Sequence, residues 1–138
     1  MDKRKKRSAC AISSMLDILG DKWSLLIIRD MIFHGKKTYG EFLSSGEKIS
    51  TNILADRLSL LEKEGIITKE EHPDNKTKFL YELTAKGTEL LPVLLEIVIW
   101  SSKYLEISDR AKELAKKAAK DRSGLIKNIT EKYRHNTE

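Results

Sequence analysis

Three small polar residues in a row, Ser50, Thr51 and Asn52, open the stretch "STNILADRLSLLEKEGIITKEE". Their hydroxyl and amide groups suit hydrogen bonds to base edges, and the free N–H groups of a helix start favour a phosphate. The same residues also suit a plainer role, with Ser50 or Thr51 capping a helix and Asn52 facing water. Turning about 100° per residue from Leu54, Leu58 and Leu61 fall within about 40° of it, and Arg57 lies about 60° away. Asn52, Ala55, Asp56, Ser59 and Lys63 fall on the opposite side. Arg57 therefore either meets a nearby carboxylate or contacts a phosphate. Asp56 repels phosphate, although it could accept from a cytosine amino group. Lys76 and Lys78 further on are cations expected to contact phosphates without reading sequence.

Other chemistry is poorly supplied. His34, His72 and His135 sit in unrelated segments, and no Ser-His-acid set, Gly-rich phosphate loop or paired carboxylates can be drawn, so no enzyme is expected. One cysteine with three scattered histidines is a poor ligand set, so neither metal nor cofactor is expected. Cys10, the sole cysteine, excludes an internal disulfide and leaves a free thiol or a bond between chains. Trp23 and Trp100 read as core and dimer contacts.

The elements that must hold these residues are legible from periodicity. "AISSMLDILGDKW" places Ile12, Met15, Leu16 and Leu19 at helical spacing and stops at Gly20, which predicts a short first helix. From Asp21 as a cap, "KWSLLIIRDMIFHG" puts Trp23, Leu26, Ile27 and Met31 on one stripe and Leu25, Ile28 and Ile32 on another, a helix covered on two sides. Thr38 and Glu41 have capping-box spacing before Phe42 and Leu43, and Gly46 marks the stop of a third, short helix. The opening stretch is the fourth helix, ended by Gly65. "IITKEE" and "KFLYEL" read as strands joined by "HPDNKT", a hairpin with a loop of about six residues. Thr84 caps a long helix over residues 84–105, in which Pro92 is expected to leave only a kink. That helix is apolar nearly all round, more than so small a domain can cover, which predicts a partner subunit on Leu94, Ile97, Val98, Trp100 and Tyr104. Ala111, Leu114, Ala115 and Ala118 form a thin stripe on a further Lys-rich helix. Leu125, Ile126, Ile129 and Tyr133 suggest a last short one after Gly124.

The length supports one domain with a real core. The net charge of +5 is misleading, because residues 1–7 hold five basic groups and Asp2, residues 8–108 twelve basic and fifteen acidic, and residues 109–138 nine and five. The excess sits at the ends, so a case for nucleic acid rests on pattern. The start "KRKKR" reads as a solvated tail in preference to a groove-reaching arm. Neither a signal peptide nor a membrane span is expected, which points to the cytoplasm.

Three helices, a fourth with a polar outer face, a hairpin and a long apolar helix make the order of a winged helix-turn-helix followed by a dimerisation element, mostly α with a small β-hairpin wing. The expected division is a basic flexible tail over 1–9, a DNA-binding domain over 10–106 with the dimerisation helix at 84–105, and a C-terminal helical extension over 107–138. "CAISSMLDILGDKWSLLIIRDM", "ISTNILADRLSLLEKEGIITKE" and "YELTAKGTELLPVLLEIVIW" resemble the HxlR-type regulators, a MarR-like winged-helix branch. The G-x-K-W, I-S-x-x-x-L-x-x-R-L-x-x-L-E-x-x-G-I and Y-x-L-T-x-x-G segments occur in order over residues 10–100.

The resemblance implies a homodimeric transcription factor on a two-fold symmetric double-stranded operator. It also implies a sensing role for a lone cysteine at the place of Cys10, whose plainer role is a small residue tucked under the dimer helices. Family members usually carry Cys-Pro at Cys10-Ala11, Arg-Phe at Thr38-Tyr39, and prolines in the wing. The missing arginine leaves Lys36 and Lys37 to substitute. An unidentified small-molecule effector between the long helix and the DNA-binding part is compatible with this plan. The competing reading is a winged helix turned to dimerisation or protein binding as an adaptor, which the −3 balance of residues 8–108 favours.

Overall fold

The computed structural model describes residues 8–137. The order is α1 (Ala11–Leu19), α2 (Ser24–His34), α3 (Tyr39–Leu43), α4 (Thr51–Lys63), β1 (Ile67–His72), β2 (Asn75–Leu83), α5 (Ala85–Thr88), α6 (Leu91–Tyr104), α7 (Asp109–Lys120) and α8 (Arg122–Thr137). Asp21 does cap the second helix, but from three residues before it. Its carboxylate accepts from the Trp23 and Ser24 N–H groups, both at 2.9 Å, and from the Ser24 hydroxyl at 2.7 Å. Both apolar stripes of α2 are then used, with Ile27, Ile28, Met31 and Ile32 all buried. They join Phe42, Leu54, Leu58, Leu61, Ile67, Leu91 and Leu95 in one core.

Two expectations fail at turns. The hairpin connection is only Pro73 and Asp74, because pairing extends to His72 opposite Asn75 through an irregularity at Glu71/His72. Local bonds tighten it: His72 Nδ1 accepts from the Asp74 N–H, and Asn75 Oδ1 accepts from the Thr77 N–H and hydroxyl. Lys76 and Lys78 therefore stand on a strand. The long helix over 84–105 is broken in two. Thr84 Oγ1 accepts from the Gly87 N–H and caps the four-residue α5, after which the chain restarts at Leu91. Pro92 has no N–H to give back to Thr88 and its ring crowds that carbonyl, so it sits in the first turn of α6 instead of inside a longer helix.

The C-terminal residues are more than an appendage. α7 packs along α6, and α8 returns over both. Ala115 and Ala118 are buried, and Leu125, Ile126 and Ile129 pack against the main core. α8 is longer than the short helix expected and begins before Gly124, whose N–H is accepted by Asp121 Oδ1 at 3.0 Å. Tyr133 is buried at the base of the hairpin, where its hydroxyl oxygen accepts from the Leu83 N–H at 2.7 Å. Among the described residues no helix is long and apolar enough to cross a membrane, and no group of three or more His, Cys, Asp or Glu could hold a metal ion.

Candidate nucleic-acid interface

α4 is fixed at both ends and along one face. Leu54, Leu58 and Leu61 are buried as their spacing requires, each burial contributing about 1.5–3 kcal/mol. Ser50 Oγ accepts from the Ile53 N–H at 3.2 Å, so this hydroxyl is committed to the cap. Thr38 is likewise spent on a capping box with Glu41 at the start of α3. Burial raises the Glu41 pKa, but bonds from the Lys37 N–H and the Thr38 hydroxyl and N–H, with the Lys36 charge, hold it net below its ordinary value. Tyr39 next door donates from its hydroxyl to the Thr51 carbonyl at 2.9 Å, locking α3 to the first turn of α4. Sequence reasoning gave Tyr39 no such task, since a hydroxyl-to-carbonyl bond across twelve residues leaves no local signal.

Thr51, Asn52, Ala55, Asp56 and Ser59 are what remains outward over the first turns of α4, all exposed. Ile53 joins them at 39% exposure, an apolar side chain on a polar face that periodicity alone did not single out. Arg57 does not face outward freely. It donates to Asp56, with Nε at 3.1 Å, and stands 3.4 Å from the carboxylate of Asp21. Those partners, Asp56 first, raise its pKa. Of its two sequence-level roles the structure supplies the carboxylate partner, and Arg57 thereby ties α4 to the start of α2 while covering the negative charge of Asp56.

The cations divide into two groups. Lys37 Nζ donates to the Asn136 carbonyl at 2.9 Å, and Lys36 Nζ stands 3.8 Å from Asp30, so both already meet protein acceptors. Lys76 and Lys78 are exposed on alternate residues of β2, hence on one face of the wing. Lys69 on β1 lies over the Phe79 ring, 4.2 Å from its centre.

The wing is aimed by a compact joint. The Tyr81 N–H donates to the Lys37 carbonyl at 2.8 Å, and its ring meets Phe42 edge-on at 6.1 Å. Thr84 Oγ1 donates to the carbonyl of Gly65 at 2.6 Å, where φ of +74° suits glycine. A Cβ on Gly87 would run into the Ile66 carbonyl oxygen, so only glycine permits this approach. Thus Tyr81, Leu83, Thr84 and Gly87, the spaced residues of one segment, all set the angle between α4 and the hairpin.

The family model for an HxlR-like helix-turn-helix matches residues 18–109, from the end of α1 through α6. The chain belongs to this HxlR-like helix-turn-helix family. Relatives include an uncharacterized HTH-type transcriptional regulator of Synechocystis (sll1512), 37% identical over 70% of this chain and 71% of that one. The HTH-type transcriptional regulator YodB of Bacillus subtilis is 34% identical over 71% of this chain and 87% of its own. Among solved structures, PA1607 superposes with a TM-score of 0.66 at 36% identity, covering 75% of this chain and 70% of the other. The oxidized form of the redox regulator HypR gives 0.62 at 30%, covering 71% and 100%, and quinone-bound YodB 0.55 at 32%, covering 67% and 97%. The protein is thus a transcriptional regulator of HxlR type, and α7 and α8 lie almost wholly beyond the stretch its family model matches.

In this HxlR-like chain the residues expected at a dimer contact separate. Leu94 is 7% exposed and belongs to this chain's own core, which corrects its placement on a face for a partner. Val98 is half-buried. Ile97, Trp100 at 57% and Tyr104 at 69% face outward on α6, the two rings 5.2 Å apart, and α1 exposes Ile12 and Leu16. Trp23 packs against the core, as expected, with Lys22 over its ring. Cys10 precedes α1 and is exposed, not tucked under any element among the described residues. The basic start over residues 1–7, expected as a solvated tail, lies outside the described residues.

Proposed function

We propose that this regulator binds double-stranded DNA as a homodimer, placing the first turns of α4 in the major groove at each half of a two-fold symmetric operator. The observation that carries the reading is a helix held at its start and along one face, whose exposed face offers mainly small polar side chains over its first two turns, with Ile53 the one apolar exception. A groove-reading helix needs close backbone approach and a few hydrogen-bonding tips. Asn52 would read a base edge, Ile53 would meet a thymine methyl, and Thr51 and Ser59 would complete the contacts. The wing lysines Lys76 and Lys78 would rest on the neighbouring phosphates. The outward rings of Trp100 and Tyr104, with Ile97, would be covered by the second subunit.

Selection of bound duplexes from a random pool tests this. The expected result is an inverted repeat with half-sites about one helical turn apart. Recovery of no sequence at low salt would favour the adaptor reading, which the acidic balance of residues 8–108 supports.

We further infer that Cys10 makes the regulator responsive to oxidants or electrophiles, supported by its exposure and by the likeness to oxidized HypR and quinone-bound YodB. Treatment with diamide should change affinity for the selected duplex, and Cys10→Ser should abolish that change. An identical response in Cys10→Ser would refute it.

A further inference from the structure

The helices beyond the family-model match enclose something. Between α2, α6, α7 and α8 lies a half-open cavity of about 1060 Å³. Its inner wall is apolar, built from Leu25, Phe33, Leu94, Val98, Leu114 and Ile129. Six cations also line it: Lys22 and Arg29 from α2, Lys37 after it, Arg110 and Lys117 one heptad apart on α7, and Lys132 on α8. The acids lining it are Asp21 and Glu113. Asp21 is spent on capping α2 and on Arg57, so of the lining acids Glu113 alone stands against Arg110, Lys117 and Lys132, which form no ion pair with a carboxylate among the described residues.

The wall is held in place. Arg122 at the start of α8 pairs with Glu96 of α6 at 2.6 Å, and at its other end Tyr133 takes the Leu83 N–H and Lys37 donates to Asn136. A cavity lined by buried and half-buried apolar side chains and by mostly exposed cations, framed by anchored helices, is the construction of a small-molecule site.

We propose that this cavity binds an organic anion with an apolar body, a hydrophobic monocarboxylate, its carboxylate held by Lys117 and Lys132 and its body against Leu114 and Ile129. Lys37 joins this site to the DNA-binding part, because its backbone carbonyl holds β2 and its N–H holds the Glu41 capping box of α3. A bound carboxylate that recruits Lys37 would release Asn136 and disturb α3 against α4. This second step rests on the DNA-binding reading, whereas the site itself does not.

Calorimetric titration of the full chain, without DNA, with decanoate, decan-1-ol and decyltrimethylammonium separates the outcomes. Decanoate should bind at one per chain, about tenfold or more tighter than the alcohol, and the cation least. Lys117→Glu with Lys132→Glu, both exposed positions that leave the core intact, should remove the decanoate advantage and keep the alcohol's affinity. Leu114→Trp should exclude all three. Equal binding of all three ligands, indifference to the lysine changes, or decanoate binding that competes with self-association, as when a second copy fills the cavity, would overturn the proposal. Operator affinity with and without decanoate then reads the coupling separately: no change refutes the Lys37 link while the site stands on the titration.

Discussion

Asn52 carries the sharpest prediction at the scale of single residues, because its amide is exposed on the first turn of α4. Asn52→Ala should relax base preference at one position of each half-site, by about 1–3 kcal/mol for a bidentate contact. An unchanged preference in a competition assay would reduce Asn52 to a solvated side chain. Arg57 behaves oppositely. It is bound to Asp21 and Asp56, so Arg57→Ala should lower thermal stability by about 0.2–1 kcal/mol and leave the salt dependence of DNA binding unchanged. A flatter salt slope would return it to the phosphate. Asp21 adds a pH test. Burial raises its pKa, but bonds from Ser24 and Trp23, with the Arg57 charge, bring it net below its ordinary 3.8. A carboxylate that binds protons less readily when folded stabilises fully above its ordinary value and loses that stabilisation as pH falls through the lowered one. Asp21→Asn should therefore melt lower than wild type at neutral pH, and the gap should close as pH drops below about 4. A gap independent of pH would mean the charge does not matter.

The elements that periodicity foresaw are those whose bonds are local. α1 through α4, the capping box and the leucine stripe were legible because each repeats at 3.6 residues or caps three residues away. The break before Pro92 and the two-residue hairpin connection were not. The first depends on Thr84 capping only the four-residue α5 and on Pro92 taking the first turn of α6, and the second on side-chain bonds from His72 and Asn75 within the turn. On the candidate site, the outward face of α4 was legible, while Tyr39, Ile53 and the engagement of Lys36 and Lys37 depend on contacts across the fold. The return of α8 was equally hidden, since a tyrosine on a polar helix does not announce a backbone partner fifty residues earlier. Tyr133→Phe keeps the ring and deletes the acceptor, leaving the buried Leu83 N–H unpaired. It should cost about 1–3 kcal/mol in denaturant unfolding, and a cost near zero would show that water replaces the hydroxyl.

At the scale of the whole molecule, charge and shape assign separate tasks. The middle of the chain is slightly acidic, so the proposed affinity for DNA would come from a few placed cations instead of a general basic field. The rigid joint at Gly65, Thr84 and Gly87 makes α4 and the wing one surface, and the outward rings of α6 leave a face for a second copy. On the proposed reading, these features together would make a dimer that grips two half-sites with a small number of phosphate contacts. The most direct measurement is the affinity for the selected duplex against salt concentration, for the full chain and for Lys76→Ala. The logarithm of affinity should fall linearly with that of salt, and the variant should bind every sequence more weakly with a slope shallower by about one unit. An affinity independent of salt, or a Lys76 effect confined to one sequence, would contradict the account.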